Sequence, residues 1–190
     1  LRQLTSRDGF SPPLMTGEVV VLRLGHRKGR DPRITTHLGL VARTFGATKF
    51  VLAGDEDKEL FDGLKSVCDS FGGALETEHV KSPMAWLKRF LKTGVAVHLT
   101  MYGIPFRQAI PSIRRDRPLV IVVGGAKVPR AVYEVCQYNV AVGSQPHSEV
   151  AALALFLDSW IQSPEVFEGA RLTIHPHSRG KDVTHSDESE

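Results

Sequence analysis

The sequence predicts a single α/β domain with a mostly parallel sheet flanked by helices. Six strand-like segments, at residues 18–24, 49–53, 96–100, 119–123, 138–142 and 171–175, recur with helical patterns between them. This alternation is typical of α/β layer folds. Several segments are continuous apolar runs such as residues 119–123, which favours parallel strands buried on both faces. At 190 residues the chain is expected to form one hydrophobic core.

Hydrophobic periodicity places the helices between these strands. In residues 36–45, Leu38, Val41, Ala42 and Phe45 recur at i, i+3, i+4 and i+7, so one face of this helix is predicted to be core and Arg43 to point away from it. Further helices are predicted at about 57–70, 83–92 and 105–115, and a last one from about 144–148 to 162.

Composition sets the domain boundaries and excludes some classes of protein. Residues 1–16 mix charges with two prolines and lack a hydrophobic h-region, so a flexible arm is expected rather than a signal peptide, and the location is expected to be cytoplasmic. Residues 17–181 form the predicted domain, and the polar, acidic residues 182–190 are expected to be disordered. No apolar run approaches the roughly 20 residues needed to span a bilayer, which excludes a membrane protein. The net charge of +3 permits a polyanionic partner, and two cysteines are too few for a disulfide scaffold.

Glycine-bearing loops follow two of the predicted strands. The chain has no Walker A loop, G-x-G-x-x-G fingerprint, HExxH or G-x-S-x-G motif, so ordinary nucleotide-binding, zinc-protease and hydrolase readings are disfavoured. Residues 124–129 (GGAKVP) follow one apolar run and residues 143–149 (GSQPHSE) follow the next strand. Ligands of open α/β sheets bind outside the carboxyl ends of strands, so two such loops on neighbouring strands predict one pocket. The alternative is that the glycines only turn the chain into the next helix.

A basic strip follows the first predicted strand. Residues 23–33 carry five Lys or Arg side chains against one Asp on a loop with Gly and Pro, which suits contact with phosphates, although a solvated loop remains the alternative. The candidate RNA-binding residues are Arg23, His26, Arg27, Lys28, Arg30 and Arg33.

The histidines do not indicate a metal or a hydrolytic triad. His147, Ser148 and Glu149 are consecutive at a helix start and cannot face one another as a relay. His175 and His177 have no ligand partner at a suitable spacing, so an exposed pair is expected, and no metal is predicted.

Long segments of the chain resemble a known enzyme family. Residues 20–27 (VVLRLGHR), 35–37 (TTH), 97–103 (VHLTMYG) and 139–154 (NVAVGSQPHSEVAALA) closely resemble, in matching order, the archaeal tRNA 2'-O-methyltransferases that act on the T-loop cytidine at position 56. These enzymes belong to the SPOUT methyltransferases. The resemblance covers residues 18–181.

The resemblance implies a fold, a cofactor and partners that periodicity does not. It implies a C-terminal trefoil knot, a homodimer with active sites at its interface, tRNA as substrate, and S-adenosylmethionine as the methyl donor. The positions that match the family's cofactor site are Leu99, Gly124, Gly125, Ala126, Lys127, Val128, Val142, Gly143, Ser144, Gln145, Pro146, His147, Ser148 and Glu149.

The resemblance also implies a catalytic residue. The first motif of the wider branch reads Asn-x-Gly-x-x-x-Arg on a helix, and residues 37–43 match its glycine and its arginine, Arg43, while His37 replaces the asparagine. In the second motif Ala126 stands where a glutamate is usual. The guanidinium of arginine stays protonated and so cannot accept a proton as an ordinary base. Arg43 is therefore expected to orient a phosphate and stabilise the developing alkoxide. The alternatives are a related enzyme for another RNA position and a catalytically silent RNA-binding module.

Overall fold

The computed structural model describes residues 17–125, 127–161 and 167–186. Its strands are β1 (Val19–His26), β2 (Lys49–Gly54), β3 (Glu76–Val80), β4 (Val95–Pro105), β5 (Leu119–Val123), β6 (Tyr138–Ala141), β7 (Leu172–His175) and β8 (Asp182–His185). Its helices are α1 (Pro32–Thr44), α2 (Lys58–Phe71), α3 (Pro83–Phe90), α4 (Phe106–Ala109), α5 (Arg130–Val135) and α6 (Glu149–Trp160), with a 3-10 turn at Ile110–Ser112.

Six strands form one parallel sheet in the order β3-β2-β1-β5-β4-β6. The predicted parallel α/β sheet is therefore confirmed. The sixth predicted segment, residues 171–175, is not part of this sheet, because β7 pairs with β8 as a separate antiparallel hairpin. Our expectation that this segment continues the α/β pattern is wrong, because β8, which is close to β7 in sequence, pairs with it in an antiparallel arrangement.

Alternate residues of the central strands divide the core into two layers. Val19 and Val21 of β1 face the layer that contains α1, α2 and α6, whereas Val20 and Leu22 face the layer that contains α3 and α5. All four side chains are buried. Burial on both faces explains why the strands read as apolar runs rather than as alternating patterns.

The first helix begins earlier than its apolar stripe. Pro32 occupies its first turn, where the missing amide hydrogen costs nothing, so α1 starts four residues before the predicted 36. Leu38 and Ala42 are fully buried, and α1 packs on α6 and α2. The predicted core face of this helix is therefore confirmed.

Several boundaries differ from those predicted. The edge strand β3 is polar and paired on one side only, so it lacks an apolar run. The predicted helix at 105–115 shortens to α4 and a 3-10 turn, because Pro111 removes a backbone donor. The predicted disordered tail from residue 182 is wrong for residues 182–186, since β8 pairs with β7 and the amide of Ser186 donates to Arg171 O at 2.9 Å. Residues 1–16 and 187–190, where we predicted an arm and the rest of the tail, lie outside the described residues.

Within the part of the chain that the structure describes, no helix has the length and apolar composition required to cross a membrane.

Candidate active site

A cleft opens at the carboxyl ends of β4, β5 and β6. Its volume is about 360 Å³, within the range of small-molecule sites. The residues around it are His98, Leu99, Thr100, Met101, Tyr102, Val123, Gly124, Gly125, Val128, Tyr133, Val142, Gln145, Pro146, His147, Ser148, Glu149 and Ala152. Both predicted glycine loops reach this cleft. Their strands, β5 and β6, were predicted to be neighbours, and this is wrong because β4 lies between them.

The first glycine loop leaves β5 and forms one wall. A Cβ added to Gly124 would collide with the Val128 side chain, so glycine allows this loop to fold tightly over the strand end. A Cβ on Gly125 would lie 3.6 Å from Glu149 Oε1. The glycines therefore leave the Glu149 carboxylate open toward the cleft.

The second glycine loop leaves β6 and forms the facing wall. Gly143 adopts a φ of 78°, which disfavours other residues. The His147 ring nitrogens lie against main-chain carbonyl oxygens, Nδ1 at 3.1 Å from that of Ser148 and Nε2 beside that of Val142. His147 thus ties the two ends of the loop together.

A bulge in β4 shapes the mouth of the cleft. The register with β6 shifts between Leu99 and Ile104, so Met101 and Tyr102 are exposed. A Cβ on Gly103 would collide with the main chain of Asn139 and Val140. Glycine at 103 therefore lets the bulge close onto β6.

We expect Gly103→Ala to destabilise the protein by about 2 kcal/mol, because a rigid strand cannot yield to the added methyl group. Urea unfolding measures this loss. The matched control is Gly63→Ala on α2, where a Cβ meets open space and helix propensity is expected to raise the stability slightly. Equal stability of the two variants would contradict the close packing at the bulge.

A buried polar group lies behind the cleft wall. His98 is fully buried, its Nδ1 lies 3.0 Å from Asn139 Oδ1, and its ring meets Tyr133 edge to face at 4.6 Å. The Asn139 amide donates to the Tyr133 carbonyl at 3.0 Å, which orients the amide oxygen toward His98. Burial lowers the pKa of His98, so the ring is neutral near pH 7. The sequence resemblance did not single out these residues.

An ion pair joins β1 to the first turn of α6 at the cleft. Arg23 Nη1 donates to Glu149 Oε2 at 2.8 Å, and the side chain of Arg23 is only 3% exposed. Burial raises the pKa of Glu149, although Arg23 acts in the opposite direction. The prediction that Arg23 contacts RNA is wrong, because it lies in the core strand β1 with its charge turned inward.

The other residues of the basic strip differ in exposure to solvent. Arg27, Lys28, Arg30 and Arg33 are exposed. His26 is 1% exposed, and its ring lies 2.9 Å from Thr35 Oγ1 and 3.3 Å from Asp57 Oδ2. Direct contact of His26 with RNA is therefore a wrong prediction, since a buried network with α1 and the start of α2 holds the ring.

Arg43 does not lie at the cleft of its own chain. Its side chain is buried, and its guanidinium donates to the main-chain oxygens of Phe71 at 2.9 Å and Gly72 at 3.2 Å. It also lies over the Phe167 ring at 4.5 Å. These carbonyls end α2 and lack helical partners, so Arg43 caps that helix. Our expectation that Arg43 lies beside the cleft is wrong for the single chain.

The predicted cofactor positions mostly converge. Ten of them, Leu99, Gly124, Gly125, Val128, Val142, Gln145, Pro146, His147, Ser148 and Glu149, line the cleft. Lys127, Gly143 and Ser144 belong to the same loops without lining it, and Ala126 lies outside the described residues. His98, Thr100, Met101, Tyr102, Val123, Tyr133 and Ala152 line it without having been predicted. Their β4 members stand in the segment 97–103 that carried the resemblance.

Among the described residues no group of three His, Cys, Asp or Glu side chains is placed to hold a metal ion. His175 and His177 are exposed on the hairpin.

Comparison with known proteins identifies relatives along most of the chain. Residues 71–184 match the model of a family described as tRNA ribose 2'-O-methyltransferase, aTrm56. The tRNA (cytidine(56)-2'-O)-methyltransferase of Thermococcus kodakarensis is 49% identical over 87% of this chain and 96% of its own length. That of Methanocaldococcus jannaschii is 46% identical over 87% of this chain and 95% of its own.

The fold also resembles that of a solved RNA 2'-O ribose methyltransferase. The TM-score is 0.57 at 18% identity, over 82% of this chain. This chain spans 59% of the length of that protein. At this identity the likeness shows the fold alone.

Proposed function

The chain belongs to the tRNA ribose 2'-O-methyltransferase family, and we propose that it methylates the 2'-hydroxyl of the T-loop cytidine at tRNA position 56. S-adenosylmethionine is the methyl donor of this reaction. The observation that carries the proposal is the cleft at the ends of β4, β5 and β6, built by the segments that resemble the family.

The cleft residues fit the donor. The volume of about 360 Å³ accommodates a nucleoside-sized ligand, and Leu99, Val128 and Val142 offer an apolar surface to a purine ring. Main-chain groups of the two glycine loops are available for hydrogen bonds, and Glu149 is an anion suited to a cationic ligand. When bound, S-adenosylmethionine supplies an electrophilic methyl group on a positively charged sulfur.

The protein's own residues then position the ribose. Methyl transfer requires the hydroxyl oxygen to approach in line, so holding the tRNA supplies much of the acceleration. Arg27, Lys28 and Arg30 lie on the loop that follows β1, Arg33 lies in the first turn of α1, and all four would contact tRNA phosphates. Arg23 neutralises part of the charge of Glu149 at the cleft wall.

Transfer of radiolabelled methyl groups to an unmodified tRNA transcript tests this function. We expect label in the transcript, at the ribose of cytidine 56 when the modified nucleotide is mapped, and none in a transcript whose nucleotide 56 carries 2'-deoxyribose. Label at another nucleotide would indicate a different RNA target. Binding of S-adenosylmethionine without transfer to any RNA would favour a silent module.

The chain path is proposed to form a trefoil knot. β6 lies beside β4, while β5, which comes between them in sequence, pairs on the other side of β4. We therefore propose that the segment from Val142 to α6 passes through the loop between β4 and β5. A crystallographic chain trace tests this, and a segment that passes beside that loop would contradict the knot.

The protein is proposed to act as a homodimer in the cytoplasm, where tRNA is modified. Leu155 of α6 is 49% exposed although the surrounding helix is mostly apolar, and α1 packs beside it. A second copy would cover this surface. Light scattering after gel filtration should give about twice the chain mass of 20.9 kDa. A monomer mass would exclude the dimer.

A further inference from the structure

We propose that Glu149 is the proton acceptor for the ribose 2'-hydroxyl, with Arg23 as the residue that positions it. The inference rests on the proposed function and adds a catalytic residue to it. Family resemblance matched Glu149 only to a position in the cofactor site.

Glu149 is the one carboxylate among the described residues that line the cleft. It stands in the first turn of α6, with its side chain 24% exposed. A proton acceptor for a bound ribose must be accessible from the cleft and held within hydrogen-bond reach of the hydroxyl. Glu149 meets the first requirement because its exposed part faces that space.

Arg23 holds one oxygen of the carboxylate and leaves the other available. The ion pair uses Oε2, at 2.8 Å from Arg23 Nη1. Oε1 faces Gly125, where the absence of a side chain keeps the space open. Since Arg23 is anchored in β1, the carboxylate is oriented by the rigid sheet rather than by the loop.

The other titratable side chains of the cleft differ from Glu149 in accessibility, and His98 keeps a buried Nε2 that has no partner among the described residues. Both ring nitrogens of His147 lie against main-chain carbonyl oxygens. His98 is fully buried behind the wall, and the Tyr133 hydroxyl lies 3.2 Å from Thr100 Oγ1. Tyr102 is 76% exposed and lies at the rim rather than inside the cleft. Among the described residues of one chain, Glu149 is therefore the carboxylate base that is accessible from the cleft.

The step balances without any further reactant. The bond from the ribose oxygen to the methyl carbon forms while the carbon–sulfur bond breaks, and the electron pair of that bond stays on sulfur. The hydroxyl proton moves to Glu149 Oε1. After the neutral sulfur product and the methylated tRNA leave, Glu149 returns the proton to water.

The charged surroundings of Glu149 suit this role. Burial raises the pKa of Glu149, and Arg23 opposes that shift. The neighbouring carboxylate of Asp31 raises the pKa further. Because only the ionised carboxylate accepts a proton, the single-turnover rate is expected to rise with pH as Glu149 ionises and then level off.

The test compares Glu149→Gln with the wild type in single-turnover methylation of tRNA at saturating S-adenosylmethionine. The amide oxygen can still accept from Arg23 but cannot take a proton at working pH. We expect the rate to fall at least about a hundredfold and the acidic limb of the pH profile to disappear. The dissociation constant of S-adenosylhomocysteine, measured by calorimetry, should change less than about threefold. The sulfur of this ligand is neutral, and a proton acceptor acts in the transition state rather than in ligand binding.

The matched control is Glu134→Gln, which makes the same chemical change at an exposed position of α5, outside the cleft and away from the proposed dimer surface. It should keep the rate and the pH profile. If Glu149→Gln fails to bind S-adenosylhomocysteine, the Glu149→Asp variant is measured in its place. A slower methylation rate that still rises with pH on the acidic side supports the assignment. A methylation rate that does not change on the acidic side overturns it. A Gln variant with wild-type rate and profile also overturns it, whereas a wild type without methyl transfer contradicts the proposed function itself.

Discussion

Changing Arg27, Lys28, Arg30 and Arg33 together to glutamine is expected to weaken tRNA binding at least about a hundredfold near 0.1 M salt. The reason is counterion release, because each lost phosphate contact removes close to one unit from the slope of log affinity against log salt. The four side chains are exposed, and their ion pairs with Asp31 and Glu59 are surface pairs that hold them weakly. Titration of labelled tRNA at several salt concentrations measures both quantities.

The control variant changes Lys88, Arg89, Lys92 and Arg117 to glutamine. These residues are also exposed, but they precede β4 and β5 and so lie at the edge of the sheet opposite the cleft. The two variants have the same net charge. An equal loss of tRNA affinity in both would show that overall charge, and not the strip after β1, controls binding.

Arg43→Ala is expected to unfold at a temperature roughly 10 °C below the wild type. The guanidinium donates to two carbonyls at the end of α2, and hydrogen bonds from a charged donor contribute about 1.5–3 kcal/mol each. Two such bonds give a loss of about 3–6 kcal/mol. Each kcal/mol shifts the melting temperature by roughly 2–4 °C in a protein of this size, so a decrease of roughly 10 °C is expected.

Thermal unfolding and single-turnover methylation at a temperature where the variant is folded distinguish a structural role from a catalytic one. Arg130→Ala serves as control, because that side chain is 90% exposed and pairs only with Glu134 one helical turn away. It should melt within a degree or two of the wild type. An unchanged melting temperature of Arg43→Ala would contradict the capping role, and loss of methylation by the folded variant would support the catalytic role that the motif indicates.

For Arg23 and Arg43 the structure shows contacts within the chain that the sequence did not indicate, while the catalytic role of Arg43 stays a prediction. Helical periodicity correctly separated Arg43 from the apolar stripe of α1. It could not show that the end of α2 lies opposite that face, 29 residues further along the chain. Similarly, Arg23 belongs to a basic stretch in sequence, but strand geometry turns its side chain toward Glu149, 126 residues away.

The sequence by itself determined the parallel sheet, the core face of α1, the glycine loops at the strand ends and the family. Apolar runs, helical spacing and glycine positions record local backbone conformation and burial, so they can be interpreted without knowing distant neighbours. Tertiary structure alone decided which basic residues are exposed to solvent. It also decided that β4 lies between the strands that carry the two loops, and that residues 182–185 pair with β7. Each of these depends on groups that are remote in sequence, and a buried charge or an unpaired strand edge is stabilised only by the partner that the fold brings to it.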